Sequence, residues 1–223
     1  MASPRLPPRM KSLSRLCFLT PADKDAAATE AILLAALEAG VRWVQFRRKA
    51  ASRRELYTEA LRLKELSARF NAFFTVNDHA DIALAVDADS LHIGQDDLPL
   101  MEARKIMGSK IIGVSTHSIS EALDAAHGGA HYIGFGPIFR TNTKDAGPPK
   151  GCGAVSEAAS AVNVPVIAIG GITHLNAADV LKAGCDGIAV SAGISSGDVG
   201  SNVAAFLEVL KTCKEGPFFS IAD

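Results

Sequence analysis

Short apolar runs alternate with longer amphipathic runs along nearly the whole chain, and this alternation restricts the fold more than any other feature. The predicted strands cover residues 16–20, 41–46, 73–76, 90–93, 111–115, 132–135, 164–169 and 187–190. The predicted helices cover residues 26–39, 52–70, 82–86, 98–107, 118–128, an alanine-rich stretch ending near 162, 175–183 and 202–211. A strand, a helix and a second strand in succession make a parallel pair. Eight such units predict an α/β protein with a single (β/α)8 TIM barrel.

An open, doubly wound sheet is the alternative fold for an alternating chain. That fold would place a G-x-G-x-x-G motif after the first strand, and none follows residue 20. The length of 223 residues and the hydrophobic fraction of 48% are ample for one large barrel. We predict the barrel domain over residues 13–215 and a C-terminal tail over 216–223. Residues 1–12 are basic and proline-rich without the apolar segment of a secretory signal, so we predict a disordered or loosely packed extension.

Charge and cysteine content exclude several classes of partner. The net charge is −1 and the pI is near 6.6, so the chain carries no electrostatic signature for nucleic acid or an anionic membrane. No apolar run approaches the length of a membrane span. The four cysteines show neither a CxxC pair nor zinc-ligand spacing, and we interpret them as reduced thiols of a cytoplasmic protein. Whether the chain forms a homo-oligomer is left open.

Two carboxylates are expected to meet at one edge of the sheet. Asn77 and Asp78 follow the third predicted strand, and Asp97 follows the fourth. Adjacent parallel strands end at the same edge, so Asp78 and Asp97 should lie close together. Two carboxylates beside an amide suit a Mg²⁺ ion that keeps several waters and takes oxygens from a substrate phosphate. The alternative is that each aspartate only caps the helix that follows it.

Glycines and cations after other strands indicate anion binding. Residues 170–171 (Gly-Gly) and 191–193 (Ser-Ala-Gly) follow strands seven and eight, where barrels bind phosphate on backbone N–H groups. The alternative is a pair of tight turns. Arg47, Lys49 and Lys144 are expected to face the two carboxylates, where they would hold a pyrophosphate together with the metal. Simple ion pairs are the alternative there.

Six short motifs stand in the order found in one enzyme family. They are QFRRK at 45–49, VND at 76–78, HIGQDD at 92–97, GVSTH at 113–117, GPIF with TNTK at 136–144, and IGGI at 169–172. Together they resemble the thiamine-phosphate synthase family over about residues 16–211. The resemblance departs at Arg48, where many members carry an acid, and at Arg140, which replaces a common proline.

The resemblance implies a Mg²⁺-dependent transferase of thiamine biosynthesis. It would join 4-amino-2-methyl-5-(diphosphomethyl)pyrimidine to 4-methyl-5-(2-phosphoethyl)thiazole, or its carboxylated form, and release pyrophosphate. The substitution would be dissociative, passing through a pyrimidine methyl cation. The work of the protein would then be to stabilise the leaving group and to position the two substrates.

The resemblance also implies roles for individual residues. Asp78 and Asp97 would bind Mg²⁺. The catalytic residues would be Arg47, Lys49, Ser115 and Lys144. The pyrimidine pyrophosphate would contact Gln45, Phe46, Arg47, Arg48, Lys49, Asn77, Ser115 and Lys144. The thiazole phosphate would contact Thr141, Asn142, Thr143, Gly171, Val190 and Ser191.

Three other functions compete with this interpretation. A thiazole tautomerase of related fold works by proton transfer, with His117 as a candidate base, but it has no use for the carboxylate pair. A non-catalytic thiamine-phosphate sensor would keep the phosphate turns and lose the metal or pyrophosphate site. A phosphosugar isomerase or epimerase would need an acid–base pair across the site, and His79, His92 and His127 are interpreted as helix or core residues.

Overall fold

The computed structural model describes residues 14–49, 51–141 and 147–213, and eight parallel strands in it close into a barrel in sequence order, β1 to β8. The strands are β1 Leu16–Leu19, β2 Trp43–Phe46, β3 Phe73–Asn77, β4 Ser90–Ile93, β5 Ile111–Thr116, β6 Tyr132–Phe135, β7 Val166–Ile169 and β8 Gly187–Val190. β1 pairs with both β2 and β8, so the sheet has no free edge. The predicted (β/α)8 barrel is confirmed, and the open-sheet alternative is wrong.

Helices alternate with the strands as predicted, with one addition. Their bounds are α1 Ala26–Glu38, α2 Arg53–Arg69, α3 Ala80–Ala85, α4 Leu100–Met107, α5 Ile119–His127, α6 Gly151–Ala161, α7 Ala177–Lys182, α8 Ala192–Ser195 and α9 Val199–Thr212. The short α8, directly after β8, was not predicted. Within the described ranges, no helix has the length and apolar character that a membrane-spanning segment requires.

Predicted and observed element ends differ where a helix cap uses a strand-like residue. Val41 is buried and was predicted to begin the second strand. Its backbone N–H instead donates to the Ala36 carbonyl at 3.0 Å, and Gly40 N–H donates to the Leu37 carbonyl at 3.1 Å. These bonds satisfy the last carbonyls of α1, so β2 begins only at Trp43.

Alternate strand residues serve two separate cores, because successive side chains of a strand point to opposite faces. Phe18, Val44 and Phe74 face outward and pack with the inner sides of the helices. Leu19, Trp43 and other residues fill the barrel interior in a second cluster. The interior therefore closes the lower end of the barrel, and the strand ends above it are left to form a site.

Candidate active site

A cavity of about 390 Å³ opens at the C-terminal ends of the strands. Residues from all eight strands or the loops after them line it. This is the face at which (β/α)8 barrels carry their active sites. Its lining combines apolar residues with polar side chains and glycine turns, which suits a ligand that carries both a ring and a phosphate.

The cavity brings together most of the predicted site residues. Those that line it are Gln45, Arg47, Asn77, Asp78, Ser115, Thr141, Gly171, Val190 and Ser191. Phe46, Arg48, Lys49 and Asp97 are not among its lining residues. Asn142, Thr143 and Lys144 lie outside the described residues, as do the predicted extension over 1–12 and the tail over 216–223.

Two amide side chains form one wall of the cavity. Gln45 is the residue before the last in β2 and Asn77 is the last residue of β3, and the Gln45 Nε2 donates to the Asn77 Oδ1 at 2.7 Å. Gln45 is 5% exposed, so this bond has little competition from water. The pair fixes both amides in one orientation. The second Gln45 N–H and the Asn77 Nδ2 group remain directed donors for a ligand.

The loop after β2 sends neighbouring residues in opposite directions. The Thr20 hydroxyl accepts from the Arg47 backbone N–H at 2.9 Å and donates to the Arg47 carbonyl at 3.3 Å, which ties this segment to β1. Arg47 lines the cavity. The Arg48 guanidinium instead lies 3.5 Å from the Glu59 carboxylate on α2 and donates to the Lys24 carbonyl at 2.7 Å. Arg48 therefore places its charge behind the site.

Phe46 also faces away from the cavity. Its side chain is buried in the core between the barrel and the helices. The residue follows Gln45 on β2, so the alternation of the strand that turns Gln45 inward turns Phe46 outward. Any contact of Phe46 with a ligand would therefore involve its backbone.

The two predicted metal ligands lie at neighbouring strand ends. Asp78 follows β3 with a φ of 65°, and its backbone N–H donates to the His92 carbonyl of β4 at 2.8 Å. Asp97 Oδ2 accepts from the Gly94 backbone N–H at 2.7 Å, which holds this carboxylate over the end of β4. The described residues contain no group of three or more histidine, cysteine, aspartate or glutamate side chains placed to hold a metal. Two carboxylates at a strand edge nevertheless fit Mg²⁺, which usually keeps waters and shares a substrate phosphate.

A glycine turn after β7 forms the opposite wall. Gly170 and Gly171 have φ values of 100° and 64°, a region that side chains disfavour. A Cβ on Gly171 would lie 2.5 Å from the Arg140 carbonyl oxygen and 2.8 Å from the Phe139 Cβ. The turn is also bonded to this loop, because Phe139 N–H donates to the Gly170 carbonyl at 3.0 Å. Both glycines and Thr141 line the cavity.

His92 is a site residue that the sequence interpretation missed. Its ring Nε2 lies 2.9 Å from Ser115 Oγ, and its Nδ1 lies 3.1 Å from the Tyr132 hydroxyl. The residue lines the cavity although it is 6% exposed. The alternation of residues in β4 would have identified it, because Leu91 and Ile93 on either side belong to the outer core. Strand alternation therefore turns the residue between them inward.

His117 lines the rim and is held by a carboxylate. Glu121 Oε2 accepts from the His117 backbone N–H at 2.6 Å and lies 3.2 Å from the ring Nδ1. Ser118 and Glu121 are spaced as a capping box, but only the bond from Glu121 N–H to Ser118 Oγ, at 3.2 Å, is of that kind. The Glu121 carboxylate bonds to His117, one residue before Ser118, and so orients the imidazole.

Comparisons with known proteins agree with this geometry. A family model described as thiamine monophosphate synthase matches residues 16–194. The chain is 48% identical to a thiamine-phosphate synthase of Chloroflexus aurantiacus over 169 residues, which are 75% of this chain and 78% of the relative. It is 44% identical to the thiamine-phosphate synthase of Chlorobium phaeobacteroides over 199 residues, 88% and 96% of the two chains. The structure of a thiamine phosphate pyrophosphorylase from Pyrococcus furiosus superposes with a TM-score of 0.81 at 35% identity, covering 91% of this chain and 97% of that one.

Proposed function

This chain belongs to the thiamine monophosphate synthase family, and we propose that it condenses 4-amino-2-methyl-5-(diphosphomethyl)pyrimidine with 4-methyl-5-(2-phosphoethyl)thiazole, or its carboxylated form, to thiamine phosphate. The observation that carries the proposal is the convergence of residues from all six family motifs on one cavity. Gln45, Asn77, His92, Ser115, Thr141 and Gly171 all line it. Motifs that are distant in sequence but line one cavity are expected to act together in one reaction.

The amide and hydroxyl wall would receive the pyrimidine. Gln45, Asn77 and Ser115 lie within the last two residues of three strands in the same barrel half, and they offer donors and acceptors at fixed positions. An aminopyrimidine presents ring-nitrogen acceptors beside an amino donor, so a planar edge of this kind is complementary to that wall. A site built to bond such an edge discriminates against analogues that lack it.

The pyrophosphate would lie across the ends of β2, β3 and β4. Arg47 enters the cavity from β2, and Asp78 and Asp97 stand at the two following strand ends. Mg²⁺ bound by the two carboxylates would neutralise charge on the pyrophosphate. Lys49 and Lys144 would complete the cationic clamp, as the family resemblance implies. Arg48 would act here only through its effect on the loop.

The thiazole phosphate would occupy the turns after β7 and β8. The Gly171 backbone, Val190 and Ser191 line this part of the cavity, opposite the carboxylates. The left-handed turn exposes backbone N–H groups without a side chain above them, which suits close approach of a phosphate. Thr141 adds a hydroxyl from the loop after β6.

The reaction then needs positioning more than acid–base chemistry. The bond between the methylene carbon and the pyrophosphate oxygen breaks, and the electron pair leaves with the oxygen. The thiazole nitrogen donates its lone pair to the same carbon. In the carboxylated substrate the bond from the ring carbon to the carboxylate also breaks, CO2 leaves, and the ring carbon takes a proton from solvent. Cations around the pyrophosphate stabilise the departing charge, and the two walls hold the reacting atoms in line. No side chain has to accept a proton in this exchange.

We further propose a cytoplasmic location. All four cysteines are free thiols: Cys17 and Cys185 are buried, and Cys152 and Cys213 are half-buried. Unpaired thiols are usual in a reducing compartment. A tag-free protein fractionated with cytoplasmic marker enzymes would support this location, and recovery from the periplasm or the medium would contradict it.

The test is an assay of the purified chain with both substrates, first with Mg²⁺ and then with EDTA, followed by chromatographic detection of thiamine phosphate. Product that requires Mg²⁺ supports both the synthase activity and the metal site. Product that forms equally in EDTA contradicts the metal site alone. Absence of product in both conditions, with thiazole phosphate still bound, would favour the tautomerase or the sensor.

Single substitutions test the metal ligands and the cationic clamp separately from nonspecific effects of mutation on the protein. Asp78→Ala and Lys144→Ala should each lower turnover by about a hundredfold or more while the fold stays intact, as far-UV circular dichroism would report. Asp124→Ala, which removes an exposed carboxylate from α5, is the matched control and should retain full activity. Normal Mg²⁺-dependent rates in either test variant would remove that residue from the mechanism.

A further inference from the structure

A chain of hydrogen-bonding side chains crosses the barrel interior beneath the cavity. The Trp43 Nε1 donates to the Thr75 hydroxyl at 2.9 Å, and the Thr75 and Ser90 hydroxyls lie 2.6 Å apart. Burial raises the pKa of Tyr132, and the Thr75 and Ser90 hydroxyls oppose that rise, so the phenol lies near both of them. From there the chain continues through His92, 3.1 Å from Tyr132, and reaches the cavity wall at Ser115, 2.9 Å from the His92 Nε2.

Burial makes the direction of these bonds matter. Trp43, Thr75 and Ser90 are fully buried, and Tyr132 is 1% exposed. Buried polar groups find their hydrogen-bond partners in the protein rather than in bulk water. Each of these hydroxyl hydrogens must therefore point at a neighbouring side chain in the series. The Tyr132 ring also packs edge-on against Trp43 at 5.2 Å, which limits its movement.

The heavy-atom distances alone allow two arrangements of the His92 protons. In a neutral imidazole one nitrogen donates and the other accepts. Either the Tyr132 hydroxyl donates to Nδ1 and Nε2–H donates to Ser115, or Ser115 donates to Nε2 and Nδ1–H donates to Tyr132. In the first arrangement the hydrogen of the Ser115 hydroxyl is left for a ligand. In the second it is consumed by the histidine.

The surroundings of Tyr132 favour the first arrangement. The indole N–H of Trp43 donates to the Thr75 oxygen, and one hydroxyl hydrogen of the Thr75–Ser90 pair lies between those two oxygens, so the other hydroxyl hydrogen is available to point at the phenol oxygen. Tyr132 then keeps its own hydrogen for His92. A phenol is also a stronger acid than a serine hydroxyl, and its hydrogen is the better partner for the unprotonated imidazole nitrogen. Burial raises the pKa of Tyr132 well above its usual value, so the phenol retains this proton.

We propose that His92 is a positioning residue that donates from Nε2–H to the Ser115 oxygen and thereby presents the Ser115 hydroxyl as a hydrogen-bond donor to the cavity. This rests on the proposed function, in which Ser115 meets the pyrimidine. The ring nitrogens of a pyrimidine can only accept hydrogen bonds. A serine held as a donor therefore recognises a ring nitrogen and discriminates against an analogue with C–H at that place.

The test is ¹⁵N NMR of the full chain labelled with ¹⁵N-histidine at pH 8. The resonances of His92 among the six histidines are assigned by their loss in His92→Gln. We expect a protonated Nε2 and an unprotonated Nδ1, because these two states resonate far apart. A protonated Nδ1 with an unprotonated Nε2 would overturn the proposal without any reference to activity.

Tyr132→Phe removes the proposed donor and keeps the ring. The Nδ1 resonance of His92 should then move further downfield, because an unprotonated ring nitrogen is shielded when it accepts a hydrogen bond. Tyr57→Phe removes the hydroxyl of the other tyrosine, which lies partly exposed on α2, and should leave the His92 resonances unchanged. An unchanged Nδ1 resonance in Tyr132→Phe would overturn the role of the phenol.

Steady-state kinetics test whether the orientation of His92 affects recognition of the pyrimidine. In Tyr132→Phe the KM for the pyrimidine pyrophosphate should rise about fivefold, since one hydrogen bond is weakened, while the KM for thiazole phosphate stays within a factor of about two. Equal rises for both substrates would indicate general loosening and contradict a positioning role. If the wild-type chain makes no thiamine phosphate, the proposed function fails, and the NMR result still decides the orientation of His92.

Discussion

Replacement of Gly171 by alanine should damage the turn after β7 in two separable ways. The φ of 64° places the residue in the left-handed region, where a side chain costs about 1–2 kcal/mol. The added Cβ would also lie 2.5 Å from the Arg140 carbonyl oxygen and 2.8 Å from the Phe139 Cβ. Backbone atoms cannot give way like the end of a flexible side chain, so overpacking should add about 1–3 kcal/mol. The expected loss of unfolding free energy is therefore about 2–5 kcal/mol.

Gly197 offers a matched control for the backbone term. Its φ is 74°, close to that of Gly171, and a Cβ built there meets nothing within 4 Å. Gly197→Ala should therefore cost only the left-handed strain of about 1–2 kcal/mol. Urea unfolding of both variants, with the midpoint and slope fitted together, measures the difference. That difference isolates the contact with the loop after β6.

The same substitution should act selectively on one substrate. A turn pushed away from Phe139 displaces the backbone proposed to bind the thiazole phosphate, and a shift of about 1 Å in a positioned group can cost a hundredfold in rate. We expect the KM for thiazole phosphate to rise at least about tenfold in Gly171→Ala, with the KM for the pyrimidine pyrophosphate within about twofold. Steady-state kinetics with each substrate varied in turn provide the measurement. Equal destabilisation of the two glycine variants, or unchanged thiazole kinetics, would refute the reasoning.

Three further predictions concern buried ionisable groups. Asp89→Asn weakens a 2.7 Å ion pair with Lys64 in which the carboxylate is 6% exposed, and it should lower the unfolding free energy by about 2 kcal/mol; an unchanged urea midpoint would contradict this. Burial raises the pKa of Cys17 well above its usual value and that of Cys185 to about 12, so neither thiol should react with iodoacetamide at pH 8 in the native protein, as mass spectrometry of the labelled peptides would report. Burial also raises the pKa of Glu59, against the opposing effect of a nearby guanidinium. The folded state therefore binds the Glu59 carboxyl proton more tightly than the unfolded state does. The resulting stability is present below about pH 4.3 and is lost as the pH rises through the raised pKa. Glu59→Gln should remove this part of the pH dependence, and an equal change of unfolding free energy with pH in both proteins would contradict the prediction.

Much of the fold was predictable because strand periodicity and helix caps are local. The Ser52–Glu55 capping box begins α2 as expected, with both of its bonds formed. The ends that differ, such as β2 beginning at Trp43 rather than Val41, depend on whether a backbone N–H joins the sheet or closes the preceding helix. That choice is made by tertiary contacts, which sequence spacing does not contain.

The site was predictable at strand ends and less so where side-chain direction decides. Gln45, Asn77 and Ser115 converge because parallel strands share one edge. Arg48 and Phe46 were placed by motif alone, and their side chains face α2 and the outer core instead. His92 is buried as a core residue would be, but its strand turns it toward the barrel interior and the cavity rather than toward the helices. The position of a residue in the sequence places it near the cavity, but the direction of its side chain decides whether it lines the cavity.

The pairing of Arg48 with Glu59 directs the side chain of residue 48 toward α2 rather than into the cavity. A compensating change at residue 59 would therefore limit the effect that a new charge at residue 48 has on the cavity. The resemblance to family members that carry an acid at this place then implies coevolution: an acid at 48 should accompany a neutral or basic residue at 59. The two positions would be inherited as a unit, and the cavity would stay the same in lineages that exchanged both.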